Sequence, residues 1–401
     1  MRKFTLLWFG QVVSLIGSAM TWFAFTIWAW EATGKASALA TISFFAFLPA
    51  VLLTPVAGVF VDRWNRKWVM ALSDLATALG TLTIFLIYTF GSLQLWHIYL
   101  VSLLAGFFTA FQYPAYAAAV TTMLSKEDYT RAEGMLGSAR ALSGILAPIF
   151  AAALLAPLGL RGIMLIDLGT FLFAFGTLLF IRVPQPEQTE TGRQSRGTFW
   201  QELRFGFRYI HEKRSLRALT VLFMFAGIFL AIGATLMAPL VLSGTGNNES
   251  ALATVQSAGA VGGVAGGVIL SLWGGTRQRI HNILIGGAGA CLLGILWLGL
   301  SGAVILWAVG SFFFAFFEPF VEGGNLAIWQ AKVPADVQGR VLSARHLLVQ
   351  IPYLSGILVS GCLAEASAIR LVMVGAGIAG ASLFLAGYAF SSLRHVEESE
   401  L

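Results

Sequence analysis

Charge is what this 401-residue chain has least of: 11% of its residues are Asp, Glu, Lys or Arg, against about 25% in a soluble domain. Hydrophobic residues make up 57% and the mean hydropathy is +0.80. Such a chain has too little polar surface to be solvated by water on all sides, so the bilayer is its solvent. Only helices and closed barrels satisfy their backbone there. The apolar runs are about 20 residues long, which is helix length and twice the ~10 of a barrel strand. The two cysteines, Cys291 and Cys362, lie in separate apolar runs and indicate neither a disulfide framework nor a metal site. No H-E-x-x-H or other metal spacing occurs, and there is no Walker lysine motif, so ATP does not drive the protein directly. Neither a clustered nucleophile and base nor a large soluble domain is present, which argues against a membrane enzyme or a receptor.

What is there is a series of apolar runs. Met1-Arg2-Lys3 opens a stretch that stays apolar to Trp30, too long for the core of a signal peptide, so it is expected to be a retained first span. Twelve runs can be counted, six before and six after a polar stretch at 182–216. The expected fold is an all-α membrane protein of twelve transmembrane helices in two pseudo-symmetric six-helix bundles. Its parts are an N-terminal bundle over 1–181, a cytoplasmic linker over 182–216, a C-terminal bundle over 217–392 and a cytoplasmic tail over 393–401. With an even number of spans both termini share a side, and all of the 25 Lys and Arg except Lys35, Arg161 and Arg370 fall on it. The positive-inside rule then places both termini in the cytoplasm. In the linker, Trp200, Leu203, Phe207 and Ile210 recur at helical spacing among basic residues. Two readings stand side by side, an amphipathic helix on the inner membrane surface and a solvated tether.

The two halves repeat at an offset of 205 residues. Ala110-Phe111 matches Ala315-Phe316, Pro114 matches Pro319, Gly134 matches Gly339, and Ser138-Ala139-Arg140 matches Ser343-Ala344-Arg345. A duplicated, mostly transmembrane chain is the mark of a secondary transporter with its binding site between two related bundles.

Between spans two and three, Gly58, Asp62, Arg63, Arg66 and Lys67 crowd an acid and three cations into one short turn. Anchoring to the membrane needs only the cations; the acid needs a partner, an arginine or the N-terminus of another helix. This G-x-x-x-D-R-x-x-R-K pattern resembles that of the major facilitator superfamily. The resemblance implies that Asp62 helps to close the cytoplasmic gate, with Arg63, Arg66 and Lys67 around it and Asp74 joining the network. Span five is similar to the antiporter motif of drug exporters in that superfamily: Gly134 and Pro148 are kept, while Ser143, Ala147, Ala151 and Ala152 stand where that motif has glycine. Val333-Pro334, Gln338-Gly339-Arg340-Val341 and the Glu202–Ile210 stretch most resemble the macrolide-efflux and siderophore-exporter branch of bacterial drug:proton antiporters.

Acids inside a span are costly and are functional candidates by default. Span ten holds Glu318 and Glu322, continued by Asn325 and Trp329 on one helix face. Span one presents Gln11, Ser14, Ser18 and Trp22; span four presents Gln112, Tyr113 and Tyr116. The resemblance implies that these spans line a central cavity. Glu318 and Glu322 are candidates for proton coupling; the competing reading is a permanent pairing with Arg140 or Arg345. Those two arginines are repeat-related, and snorkelling is their default explanation. Asp167 is read as near the outer surface, with structure and function equally weighted. A G-x-G-x-x-G match at Gly375, Gly377 and Gly380, and glycine ladders in span eight (Gly259, Gly263, Gly267; Gly262, Gly266), are expected to serve helix packing.

The expectation is therefore a multi-pass protein of the bacterial inner membrane, not an enzyme. It is expected to carry out proton-coupled efflux of amphiphilic small molecules, macrolide-like drugs or siderophores, by alternating access. The other readings are a nutrient importer and a lipid flippase on the same fold. The proton gradient is the energy source, with no cofactor and no nucleic-acid partner, and the working form is a monomer.

Overall fold

The computed structural model describes residues 2–61, 64–124, 126–181, 199–276, 278–334 and 337–389. Of some of these, including Gly58 and Tyr113, it describes the backbone alone. Asp62, Arg63, linker residues 182–198 and the 393–401 tail lie outside the described residues.

The described residues are helical almost throughout, in two compact units. One takes in Met1–Ala32 and Ile42–Gly197, the other Thr33–Thr41 and Thr198–Leu401. In the first unit run α1 (Arg2–Thr33), α2 (Ala36–Val61), α3 (Arg66–Phe90), α4 (Leu95–Met123) and α5 (Tyr129–Phe180). The start of α2 belongs to the second unit. Eleven helices among the described residues are long and apolar enough to cross a membrane. One of them counts twice. The 52 residues of α5 would extend about 78 Å as a straight helix, more than double the ~30 Å apolar thickness of a bilayer. Gly159 breaks it, at φ 63 and ψ −178, two residues after Pro157. Only glycine adopts that backbone freely. The twelve expected spans are thus recovered.

The second unit contains α6 (Phe199–Glu212), α7 (Arg214–Thr245), α8 (Glu249–Trp273), α9 (Arg279–Gly289), α10 (Trp297–Leu300), α11 (Val304–Phe316), α12 (Glu318–Lys332), α13 (Gln338–Ala366) and α14 (Ile369–Ala386). A π-helical stretch, Ala290–Leu296, joins α9 to α10 within one span. Span ten is interrupted at Phe317, where α11 gives way to α12. Pro319 in the first turn of α12 cannot donate to Ala315 and loosens the ladder there.

The second part of the linker is the amphipathic helix α6, and its apolar face has a partner. The apolar face of α6, with Leu203 and Ile210 buried, packs on α13. Gly206 makes the approach possible, because a side chain there would meet the Arg340 carbonyl and Ala344. Glu202 pairs with Arg340 at 3.7 Å. This helix is amphipathic and docked through its apolar face on its own chain, so it is not a solvated tether.

Candidate transport site

A cavity of about 260 Å³ lies inside the first unit, walled by α1, α3, α4 and the second half of α5. Its lining includes Gln11, Ser14, Ser18 and Trp22 from α1, Asp74 and Thr77 from α3, Thr109 and Gln112 from α4, and Asp167 and Phe171 from α5. The polar stripe of span one and Gln112 of span four therefore do meet, within one unit. Close helix approach builds this wall. A side chain at Gly10 would collide with Thr177, and one at Gly17 with Thr170 and the Asp167 backbone. Those pairs are seven residues apart on both helices, so α1 and α5 run in contact for two turns.

Both acids of the cavity are buried, Asp74 9% and Asp167 4% exposed. Gln11 donates to Asp74 Oδ2 at 3.0 Å and Gln112 donates to its Oδ1. Ser18 donates to Asp167 Oδ1 at 2.9 Å and Thr81 to its Oδ2 at 3.0 Å. This corrects two expectations. Asp74 stands in the cavity and not with the charged turn, because it lies two turns into α3, about 12 Å along the axis from Arg66. Asp167 is buried in the cavity wall and not at the protein surface.

Asn65 caps α3, accepting from the backbone N–H of Lys67 at 3.1 Å and of Trp68 at 3.3 Å. Arg66 is buried and donates to the Ala118 carbonyl at 2.6 Å. The Lys67 ammonium donates to the carbonyls of Leu179 at 2.7 Å and Ile181 at 2.8 Å. These carbonyls close the C-terminal end of α5, where a cation is favoured. The described cations of the turn thus hold the first unit together. The gate residues Asp62 and Arg63 lie outside the described residues.

Span five packs on α1 through its small residues. Ser143 donates to the Leu15 carbonyl at 3.3 Å, and Ala147 and Pro148 are buried. Gly134 has open space where a side chain would stand. Tyr116 is buried in the apolar core of the first unit with no hydrogen bond to its hydroxyl, and does not line the cavity. Arg140 is exposed.

In the second unit the expected acidic face divides. Glu318 and Glu322 are exposed, whereas Asn325 and Trp329 are fully buried, so Asn325 is a core residue and not a cavity residue. Asn325 Oδ1 accepts from Trp329 Nε1 at 3.1 Å. Glu322 approaches Arg345 at 4.0 Å. Arg345 lies over Trp329 at 5.6 Å and Phe223 at 5.9 Å, packed between rings instead of snorkelling. Glu318 begins α12, where the helix dipole favours an acid.

Sequence reasoning passed over Thr81 and Thr77. The signal was available: Asp74, Thr77, Ala78 and Thr81 form one helix face, of which only the acid had been singled out.

The sequence model of the Major Facilitator Superfamily matches residues 7–356. The chain belongs to that superfamily and is a transporter. It is 28% identical over 372 residues to macrolide efflux protein A of Streptococcus pyogenes, covering 90% of this chain and 89% of that one. It is also 28% identical over 312 residues to the protein of the same name in Enterococcus faecalis, covering 76% and 94%. Among solved structures, the nucleoside transporter NupG superposes with a TM-score of 0.73 at 12% identity, covering both chains completely. An inward-facing bacterial homologue of the iron transporter ferroportin superposes with 0.65 at 16% identity, covering 96% of this chain and 98% of that one. At such identities these two share the fold.

Proposed function

We propose that the protein exports amphiphilic small molecules across the bacterial inner membrane, both termini cytoplasmic, by exchanging them for protons in alternating access. The observation that carries this reading is the similarity to macrolide efflux proteins over nine-tenths of the chain. The exposed Glu318 at the break in span ten supports it. An acid at the start of a half-helix offers one site for which a cationic head group and a proton compete. Glu322 serves beside it, steadied by Arg345. The protein works as a monomer with the proton gradient as its energy source and without a cofactor.

The test is a proteoliposome assay with an imposed pH gradient and a fluorescent cationic amphiphile. Wild type is expected to move the dye against its gradient, and Glu318→Gln to lose that movement. Dye movement indifferent to the pH gradient would overturn the proposed coupling.

A further inference from the structure

The first unit holds two buried acids, one of them drawn by the resemblance into the gate network and the other given no role by it. Asp74 and Asp167 occupy one cavity, and among the described residues no lysine, arginine or histidine lines it. Gln11 and Ser18, their respective partners on α1, are seven residues apart, as are Asp74 and Thr81 on α3. Seven residues are two turns, so the acids sit about 10 Å apart along the bundle. Between them the wall carries the hydroxyls of Ser14 and Thr77. At roughly 30 Å³ per water, the cavity has room for a short file of them.

The partners matter more than the acids. Each of the four carboxyl oxygens accepts from one neutral donor, a glutamine amide or a hydroxyl. A lysine or arginine only donates and would hold an acid ionised. A hydroxyl also accepts, and a glutamine amide turned over presents its oxygen. Every partner can therefore serve the carboxylate and the carboxylic acid alike. Asp167 has an additional one. Thr21 is 2% exposed and its hydroxyl lies against the Asp167 carboxyl. A hydroxyl there can donate to the carboxylate or turn to accept the proton of the neutral acid.

From this geometry we infer that Asp74 and Asp167 are a proton-binding pair, a relay inside the first unit separate from the exposed acids of the second. A proton on Asp167 passes to the intervening water while that file delivers one to Asp74. One acid is left ionised and the other neutral, and nothing is oxidised. In the orientation proposed above, Asp167 is the outer station and Asp74 the inner one. The role of the pair in coupling rests on the export reading; its proton binding does not.

Infrared difference spectroscopy between acid and alkaline pH, on the full chain in lipid vesicles without cargo, tests the proton binding directly. The C=O band of neutral carboxylic acid is expected to titrate in wild type. Asp74→Asn should remove one component and Asp167→Asn another. Thr81→Val and Gln11→Leu keep both acids, and each should shift the midpoint of its own partner's component only. These two also decide the matter if an Asp→Asn variant fails to fold. A band left unchanged by both Asp→Asn substitutions and by Thr81→Val and Gln11→Leu would overturn the pair; components that merely remain in the Asp→Asn variants belong to the other carboxyl groups. In the dye assay, both Asp→Asn variants should lose gradient-driven movement yet keep dye exchange at equal pH; undiminished driven movement would overturn the relay. A wild type that moves no dye counts against the export reading alone, and the infrared result still decides on the pair.

Discussion

Two glycine ladders run along α8, and the structure predicts that alanine will separate Gly262 and Gly266 of one from Gly263 and Gly267 of the other. A methyl on Gly262 would meet the Phe312 carbonyl oxygen and lie 2.9 Å from Phe312 Cα. One on Gly266 would meet the Phe316 carbonyl oxygen and lie 2.9 Å from its carbonyl carbon. Helix backbone cannot rotate aside, so α8 and α11 must part. That places the cost at the upper end for overpacking, about 3 kcal/mol. Alanine returns up to about 1 kcal/mol of helix propensity, leaving about 2 kcal/mol of net loss at each position. Thermal unfolding followed by tryptophan fluorescence should then show Tm lowered by roughly 4–8 °C. The double variant should cost less than the sum, since one separation relieves both clashes. Gly263 and Gly267 provide the control. A methyl there lies 3.8 Å from the Ala315 carbonyl oxygen and 4.0 Å from Pro319 Cγ, ordinary contacts. Gly263→Ala and Gly267→Ala should leave Tm unchanged or raise it slightly. Equal shifts at all four positions would refute the packing argument.

Other substitutions test other contacts. Lys67→Met removes both bonds to the end of α5 and should cost about 1.5 kcal/mol, the low end for a charged donor that stays partly exposed. Lys67→Arg should recover part of the lost unfolding temperature. Asn325→Ala strands the Trp329 indole N–H in the core and should cost at least about 2 kcal/mol in the same unfolding assay. Glu322→Gln should change stability by less than about 1 kcal/mol, because the 4.0 Å pair with Arg345 has a 59% exposed glutamate side chain. A transport defect in that variant would therefore report function and not folding.

The spans, their number and the linker helix were legible because each is a local pattern. Hydropathy runs mark crossings, and Pro157 with Gly159 marks the turn inside α5. Leu203 and Ile210 gave the linker helix its apolar face. Where that face docks was not legible, since periodicity names a face and not its partner. Gly206, a small residue inside the stripe, was the one hint of close approach. Asp74 failed for the same reason. Its neighbours in sequence are the charged turn, but its partners are Gln11 and Gln112, 63 and 38 residues away. Gly262 and Gly266 read like Gly263 and Gly267 until α11 supplies its backbone against the first two. Asn325 keeps the helical spacing of Glu318 and Glu322 within α12, yet its end of that face is covered, as the burial of Trp329 shows, and no spacing reports that. Asp62 and Arg63, the strongest family motif, carry their meaning by resemblance alone.

The central claim is exchange of cargo for protons, and exchange runs in both directions. The direct measurement loads proteoliposomes with a cationic amphiphile at equal pH on both sides and follows the internal pH as the amphiphile leaves. The account predicts that the interior acidifies, with the signal abolished in Glu318→Gln. Cargo efflux with no change of internal pH, or with alkalinisation, would contradict it.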